Sequence, residues 1–253
     1  MAWQPEPARL RVHLAKSPEE VRQAQRLRYR VFADECGARL QTLSPGLDED
    51  PFDPYCDHLI VRDTSRDEVV GTYRILTAWK AREAGSFYSE TEFDMSRLLS
   101  LAPRMVEVGR SCIHPDYRHG GVMTLLWAGL ADYMRTGGYE YLVGCASVSL
   151  TDGGGQATET YLSLRDTCLS PPQWRVVPHR PYPIDADRVV GQPILPPLIK
   201  GYVRLGAYVC GEPAWDDAFN TADLFMLLPL SRMNPRYARH FMGISCNVQA
   251  PAA

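Results

Sequence analysis

Arg104–Arg135 reads RMVEVGRSCIHPDYRHGGVMTLLWAGLADYMR, and this stretch decides the fold. Its first third is a strand carrying Glu107 and Arg110. A tight turn follows at Arg118-His119-Gly120-Gly121. Val122, Leu125, Leu126, Leu130, Tyr133 and Met134 then recur at helical spacing and give an amphipathic helix. A helix opened by glycines presents free backbone N–H groups and a positive dipole end, to which a phosphate can come close. The turn is neither a P-loop, since no GK[ST] follows, nor a dinucleotide fingerprint, since GxGxxG is absent. On its own it is equally a glycine-assisted turn.

The strand adds a second signal. Residues three apart on a regular strand face opposite sides. A bulge at Gly109 is expected, because it shifts that parity by one and turns Glu107 and Arg110 to one face. It also frees backbone N–H groups to assist a carbonyl in acyl transfer. A buried structural ion pair is the competing reading of these two residues.

Outward from this core, His58–Arg62 and Val69–Leu76 read as a hairpin with a polar turn around Ser65-Arg66-Asp67. Downstream, Gly137-Gly138 stops the helix, 141–147 reads as a buried strand, and 157–168 as a helix. Prolines crowd 170–197, which predicts an extended elaboration with little regular structure, leading into a short helix or turn from Pro196. Residues 222–228 read as a late strand.

Near the N-terminus, Leu10, Val12 and Leu14 alternate as a strand. Ser17-Pro18-Glu19-Glu20 is a helix start with a capping box, and Val21, Ala24, Leu27, Val31 and Phe32 continue it. The loop from Leu40 to Asp57 carries Asp48, Glu49, Asp50, Asp53 and Asp57 without EF-hand spacing. It is either a polar surface loop or a site for a cationic group. The fold class expected is mixed α/β (α+β), a central sheet flanked by helices, with 1–253 as one domain and 170–197 as a proline-rich insertion.

A net charge of −3 gives no electrostatic case for nucleic acid. Seven scattered cysteines without a CxxC pair read as reduced thiols, and no histidine spacing suggests a metal. The N-terminus has no signal-peptide pattern, and no apolar run approaches the roughly 20 residues of a membrane span. A cytoplasmic protein is expected, with loose contact at the inner membrane face. Oligomeric state is not legible.

Several motifs together resemble the GNAT acyltransferase superfamily. Its donor signature, Arg/Gln-x-x-Gly-x-Gly/Ala, reads here Arg118-x-x-Gly121-x-Met123 and departs at the last position. The match is more specific to two branches that take acyl groups from acyl carrier protein, the acyl-homoserine-lactone synthases and the ornithine N-acyltransferases. Leu27-Arg28-Tyr29-Arg30-Val31-Phe32, the loop from Leu47 through His58, Gly71-Thr72-Tyr73-Arg74 and Glu107-Val108-Gly109-Arg110-Ser111 are similar to motifs of both. The extended run EVGRSCIHPDYR, with Pro197–Tyr202 and Thr221–Phe225, resembles the ornithine branch more closely.

The resemblance implies transfer of a 3-hydroxyacyl group from an acyl-carrier-protein thioester to the α-amine of ornithine, giving lyso-ornithine lipid. It implies no resident cofactor or metal, because the donor carries its own 4'-phosphopantetheine. Glu107 is the candidate base and Arg110 its companion. Arg28, Asp48, Asp50 and Arg74 are candidates for acceptor binding, and Arg118, Gly120 and Gly121 for donor binding. Cys112 lacks a histidine partner and reads as core. Lys200, Arg204, Arg232, Arg236 and Arg239 are candidates for docking an acidic carrier protein. The proline-rich segment and 198–205 could wall an acyl-chain channel, shielding about 0.8 kcal/mol per methylene. Other acceptors, lactone formation, an acetyl-coenzyme A enzyme and a non-catalytic carrier-binding module are the rival readings.

Overall fold

The structure, a computed structural model, describes residues 10–185 and 194–233. In chain order its elements are β1 (Leu10–Leu14), α1 (Pro18–Tyr29), β2 (Asp57–Asp63), β3 (Glu68–Thr77), α2 (Ala78–Ala84), β4 (Phe93–Asp94), β5 (Met105–Ile113), α3 (Gly121–Gly137), β6 (Tyr141–Ser149), α4 (Gly155–Cys168), β7 (Val177–Pro178), α5 (Pro197–Leu205), β8 (Tyr208–Val209), β9 (Ala214–Asp216) and β10 (Thr221–Pro229). This is the mixed α/β class expected. The described residues fall into two compact units, 10–75 with 110–137, and 76–109 with 138–185 and 194–233. β5 gives its first five residues to the second unit and its last four to the first.

In the first unit the strand order is β1-β2-β3-β5, with β1, β2 and β3 antiparallel. Ser17 caps α1 by accepting the Glu20 amide. The Glu20 carboxylate reaches past the cap to the Lys16 amide at 2.7 Å, one residue beyond the partner a capping box uses. The chain then winds on as a π-type turn, Arg30–Glu35, and ends at Gly37 with φ +77°.

A register shift in the β2–β3 pair leaves Val70 as the extra residue, so Val69 and Gly71 face opposite sides. Val69 joins Ala24, Leu27, Val31, Ile60 and Cys112 in a core under α1. Gly71 lies against α3, where a Cβ would stand 2.3 Å from Val122 Cγ1. At Gly129 of α3 a Cβ would stand 2.9 Å from Val12 Cγ2 and 3.0 Å from Leu59 Cδ1. The helices α1 and α3 thus cover opposite faces of the β2–β3 pair.

In the second unit β5 runs parallel to β6 over Met105–Glu107, β6 pairs antiparallel with β10 along its whole length, and β10 carries β8 and β9. Gly144 lets β6 approach the Val108 carbonyl, which a Cβ would meet at 2.2 Å. Tyr73, Phe93, Phe225, Leu126 and Tyr133 are among the largest fully buried side chains of the two units. Within 170–197 the described part holds one short turn, Pro172–Trp174, and β7, before Pro197 opens α5.

Candidate active site

β5 places the candidate base. Glu107 is 4% exposed, and its carboxylate accepts the amide N–H groups of Tyr88 at 2.7 Å and Ser89 at 2.8 Å. Both donors lie on the turn Tyr88–Thr91, whose N-terminus Glu90 closes by accepting the Phe87 amide. Two main-chain donors fix a carboxylate more firmly than side chains can, because they lose no rotamer freedom. The ladder between β5 and β6 stops at Glu107, and three residues on Arg110 adopts φ +49°. A bulge is expected at Gly109; the residue of β5 with unusual backbone is its neighbour Arg110. A non-glycine residue at positive φ costs energy and is held only where its surroundings over-determine it.

In the first unit those surroundings are a network of three arginines and three aspartates. Arg28 is wholly buried; its Nε bonds Asp48 at 2.9 Å, and its Nη2 bonds the Asp48 carbonyl and, at 2.6 Å, the Asp53 carboxylate. Arg74 bonds Asp50 at 2.5 Å and Asp53 at 3.0 Å. Arg110 pairs with Asp48 at 3.3 Å and Asp50 at 3.2 Å. Gln25 and His58 complete the cluster around Asp53. Burial alone would raise the Asp53 carboxyl, but the Arg28 and Arg74 guanidiniums outweigh it and hold Asp53 far below the usual carboxylate range. Burial lowers His58 to about 4, so the ring is neutral at pH 7. Burial opposes the charge on Arg74, yet Asp50 and Asp53 raise its pKa further.

All four residues expected to bind the acceptor thus come together, but their charges are turned on one another. Asp53 is the member that sequence reasoning left unassigned, although it lay in the acidic loop already singled out.

The glycine turn is also as expected locally. Gly120 adopts φ +102° and α3 begins at Gly121. Thr124 returns both its amide and its hydroxyl to the Gly120 carbonyl. Arg118 bonds the Ile113 carbonyl and forks onto Glu35, which lowers Glu35 and raises Arg118 through the shared hydrogen bond. Cys112 lies buried in the core, where desolvation pushes its thiol far up. In the candidate docking patch Lys200 and Arg204 are exposed on α5, and Arg232 lies over the Tyr208 ring at 4.0 Å. Arg236 and Arg239 lie outside the described residues.

Sequence reasoning missed a second polar cluster in the unit that holds Glu107. Glu92, Cys145 and Asp223 bring their side-chain oxygen and sulfur atoms within 4.8 Å of one another. The Cys145 thiol meets the Ser89 hydroxyl at 3.3 Å. The pairing of β6 with β10 brings Cys145 and Asp223 near each other, Glu92 joins them from the residue before β4, and no local pattern announces it.

A mixed α/β fold with a buried glutamate on a strand and a glycine turn opening a helix is compatible with an acyltransferase of the GNAT class, and comparison with known proteins shows that class. The acetyltransferase (GNAT) domain profile matches residues 27–128. L-ornithine N(alpha)-acyltransferase of Brucella abortus is 37% identical over 92% of this chain and 88% of its own length. The proteins of the same name from Agrobacterium fabrum and Rhodobacter capsulatus are each 36% identical, over 92% and 93% of this chain and 85% and 95% of theirs. The chain belongs to this family of acyltransferases. Among solved structures, the acyl-homoserine-lactone synthase LasI (13% identical, TM-score 0.56) covers 94% of this chain and 96% of its own. The coenzyme A-dependent synthase BjaI with SAM and isopentyl-CoA (14%, TM-score 0.56) covers 96% and 94%. At these identities the likeness is one of fold.

Proposed function

We propose that the protein moves a 3-hydroxyacyl group from an acyl-carrier-protein thioester to the α-amine of L-ornithine, giving lyso-ornithine lipid. One observation supports the acceptor: relatives from several bacteria, matched over nine-tenths of this chain, are named L-ornithine N(alpha)-acyltransferases. The α-ammonium gives a proton to Glu107, directly or through one water. The freed amine attacks the thioester carbonyl carbon, an amide C–N bond forms, the C–S bond breaks, and the carrier thiol leaves with a proton. Gly120 and Gly121 open a helix whose first amides suit the phosphate of the phosphopantetheine arm, so no resident cofactor is called for.

We give Arg28 and Arg74 a positioning role. Their guanidiniums are almost wholly buried and bonded to aspartates, so they hold Asp48, Asp50 and Arg110 in place and do not reach for a substrate carboxylate. Asp50 and Arg110 keep more exposure and form the edge of the network open to an acceptor. No helix of the described residues is long and apolar enough to cross a membrane. The product is amphiphilic, and its release at a membrane surface is part of the proposal. The test is incubation of the pure protein with 3-hydroxymyristoyl carrier protein, the matching coenzyme A thioester and a panel of amino acids. Acyl-ornithine from the carrier-protein donor is expected. Product only from coenzyme A, or only with another amino acid, would replace donor or acceptor.

A further inference from the structure

The turn that holds Glu107 is too short to hold itself. Tyr88–Thr91 is a single turn of four residues, and a lone turn orders its backbone for very few bonds of its own. Such a turn leaves amide N–H groups over at its start and carbonyls over at its end. Glu107 accepts from the amides at the start, those of Tyr88 and Ser89. Within the turn, the Phe87 carbonyl accepts the Glu90 amide, the Tyr88 carbonyl the Thr91 hydroxyl, and the Ser89 carbonyl the Glu92 amide. The Glu90 and Glu92 carbonyls are met from outside, and by one residue. His179 gives its Nε2–H to the Glu90 carbonyl at 3.1 Å and its amide to the Glu92 carbonyl at 2.8 Å. A carbonyl oxygen only accepts, so the ring bond places a proton on Nε2.

The segment that carries His179 is itself tied down on two sides. Val177–Pro178 pairs with Phe93–Asp94 as β7 with β4. On the other side the Val176 amide bonds the Cys210 carbonyl, the Tyr182 amide the Pro213 carbonyl, and the Trp215 amide the Arg180 carbonyl. Gly211 admits that approach, since a Cβ there would stand 2.5 Å from the Val176 carbonyl oxygen. Pro178, Pro181 and Pro183 restrict φ along the segment, so less freedom is lost in laying it down. We infer that His179 is a positioning residue for the base: by holding the far end of the turn it keeps the Tyr88 and Ser89 amides aimed at Glu107. The inference rests on Glu107 acting as base in the acyl transfer proposed above. It gives the proline-rich segment a task at the base, apart from any acyl-chain channel.

The test uses His179→Phe, which keeps a ring and loses the donor, and His179→Gln, whose amide nitrogen can stand where Nε2 stood. His179 is exposed, so both variants should fold. Acyl transfer to ornithine is measured for each, alone and combined with Glu107→Gln. His179→Phe should lower kcat about 3- to 10-fold, the worth of one hydrogen bond, with each KM changed less than about twofold. His179→Gln should recover most of that loss, and in the Glu107→Gln background His179→Phe should have little further effect. Hydrogen exchange at the Tyr88 and Ser89 amides needs no turnover; it should quicken about 3- to 10-fold in His179→Phe and stay near wild type in His179→Gln. Unchanged kcat or unchanged exchange in His179→Phe overturns the inference, as does a kcat loss of the same size in the Glu107→Gln background. Quickened exchange in a protein whose wild type transfers no acyl group from any donor would keep the support of the turn and remove the proposed reaction.

Discussion

Arg28→Met is the sharpest perturbation of the buried network. Arg28 neutralises two carboxylates, Asp48 and Asp53, from a position with no solvent exposure. Methionine fills similar volume but leaves three aspartates facing two guanidiniums. Breaking a buried pair by removing one partner costs about 3–5 kcal/mol. For a chain of this size that lowers Tm by roughly 6–20 °C at pH 7. Asp53 also fixes the sign of the pH dependence. Its folded pKa lies below the unfolded value, so its stabilisation is present above about pH 4 and is lost as pH falls below that. Removing Arg28 brings Asp53 back toward the ordinary value. The gap in Tm between wild type and variant should therefore narrow from pH 6 to pH 3. Adding Asp53→Asn to Arg28→Met should restore about 0.5–3 kcal/mol, since the two residues are directly bonded. Differential scanning calorimetry across this range decides it. A drop of less than about 2 °C at pH 7, or a gap that stays constant with pH, refutes a charge-balanced buried network.

Glu107→Gln keeps one oxygen to accept from the Tyr88 or Ser89 amide and turns an NH2 donor toward the other, and as a base it is inert; turnover should fall about 10²- to 10⁴-fold, with a loss of stability of about 1–3 kcal/mol for the buried N–H left unpaired. Gly71→Ala puts a Cβ 2.3 Å from Val122 Cγ1, a stiff side chain, and should destabilise by about 1–3 kcal/mol in urea titration. Burial, then the charges of Asp223 and Asp216, push Glu92 up to about 9, with Tyr88 and Cys145 facing it as weaker opposing partners. Its folded pKa exceeds the unfolded one, so its contribution to stability is full below about pH 4 and is lost as pH rises toward 9. Tm should fall over that window, and Glu92→Gln should flatten the fall.

The fold was largely legible because its long elements carry strong local signals. The Ser17 cap, the hairpin alternation, the stripe of α3 and the apolar run of β10 each announce themselves within a dozen residues. The elements that escaped are short: β4, β7, β8 and β9 have two or three residues and exist only through their partners. α2 was readable in retrospect, with Thr77 as its cap and Gly85 at φ +101° as its stop. At the site, spacing singled out Glu107, Arg110 and the acidic loop, since charged residues on a strand demand partners. It could not tell which charges cancel. That Arg28 spends its guanidinium on Asp48 and Asp53 is a fact of three-dimensional pairing. The Glu92–Cys145–Asp223 cluster joins residues more than fifty apart along the chain, and its members look unremarkable singly.

The reaction proposed for this chain is acyl transfer to an amino-acid amine. Mass spectrometry of the pure protein with 3-hydroxymyristoyl carrier protein and L-ornithine tests it most directly. An amide on the α-nitrogen, a free δ-amine, and loss of product in Glu107→Gln are expected. Absence of any acylated amino acid from either donor, or full activity in that variant, would contradict it.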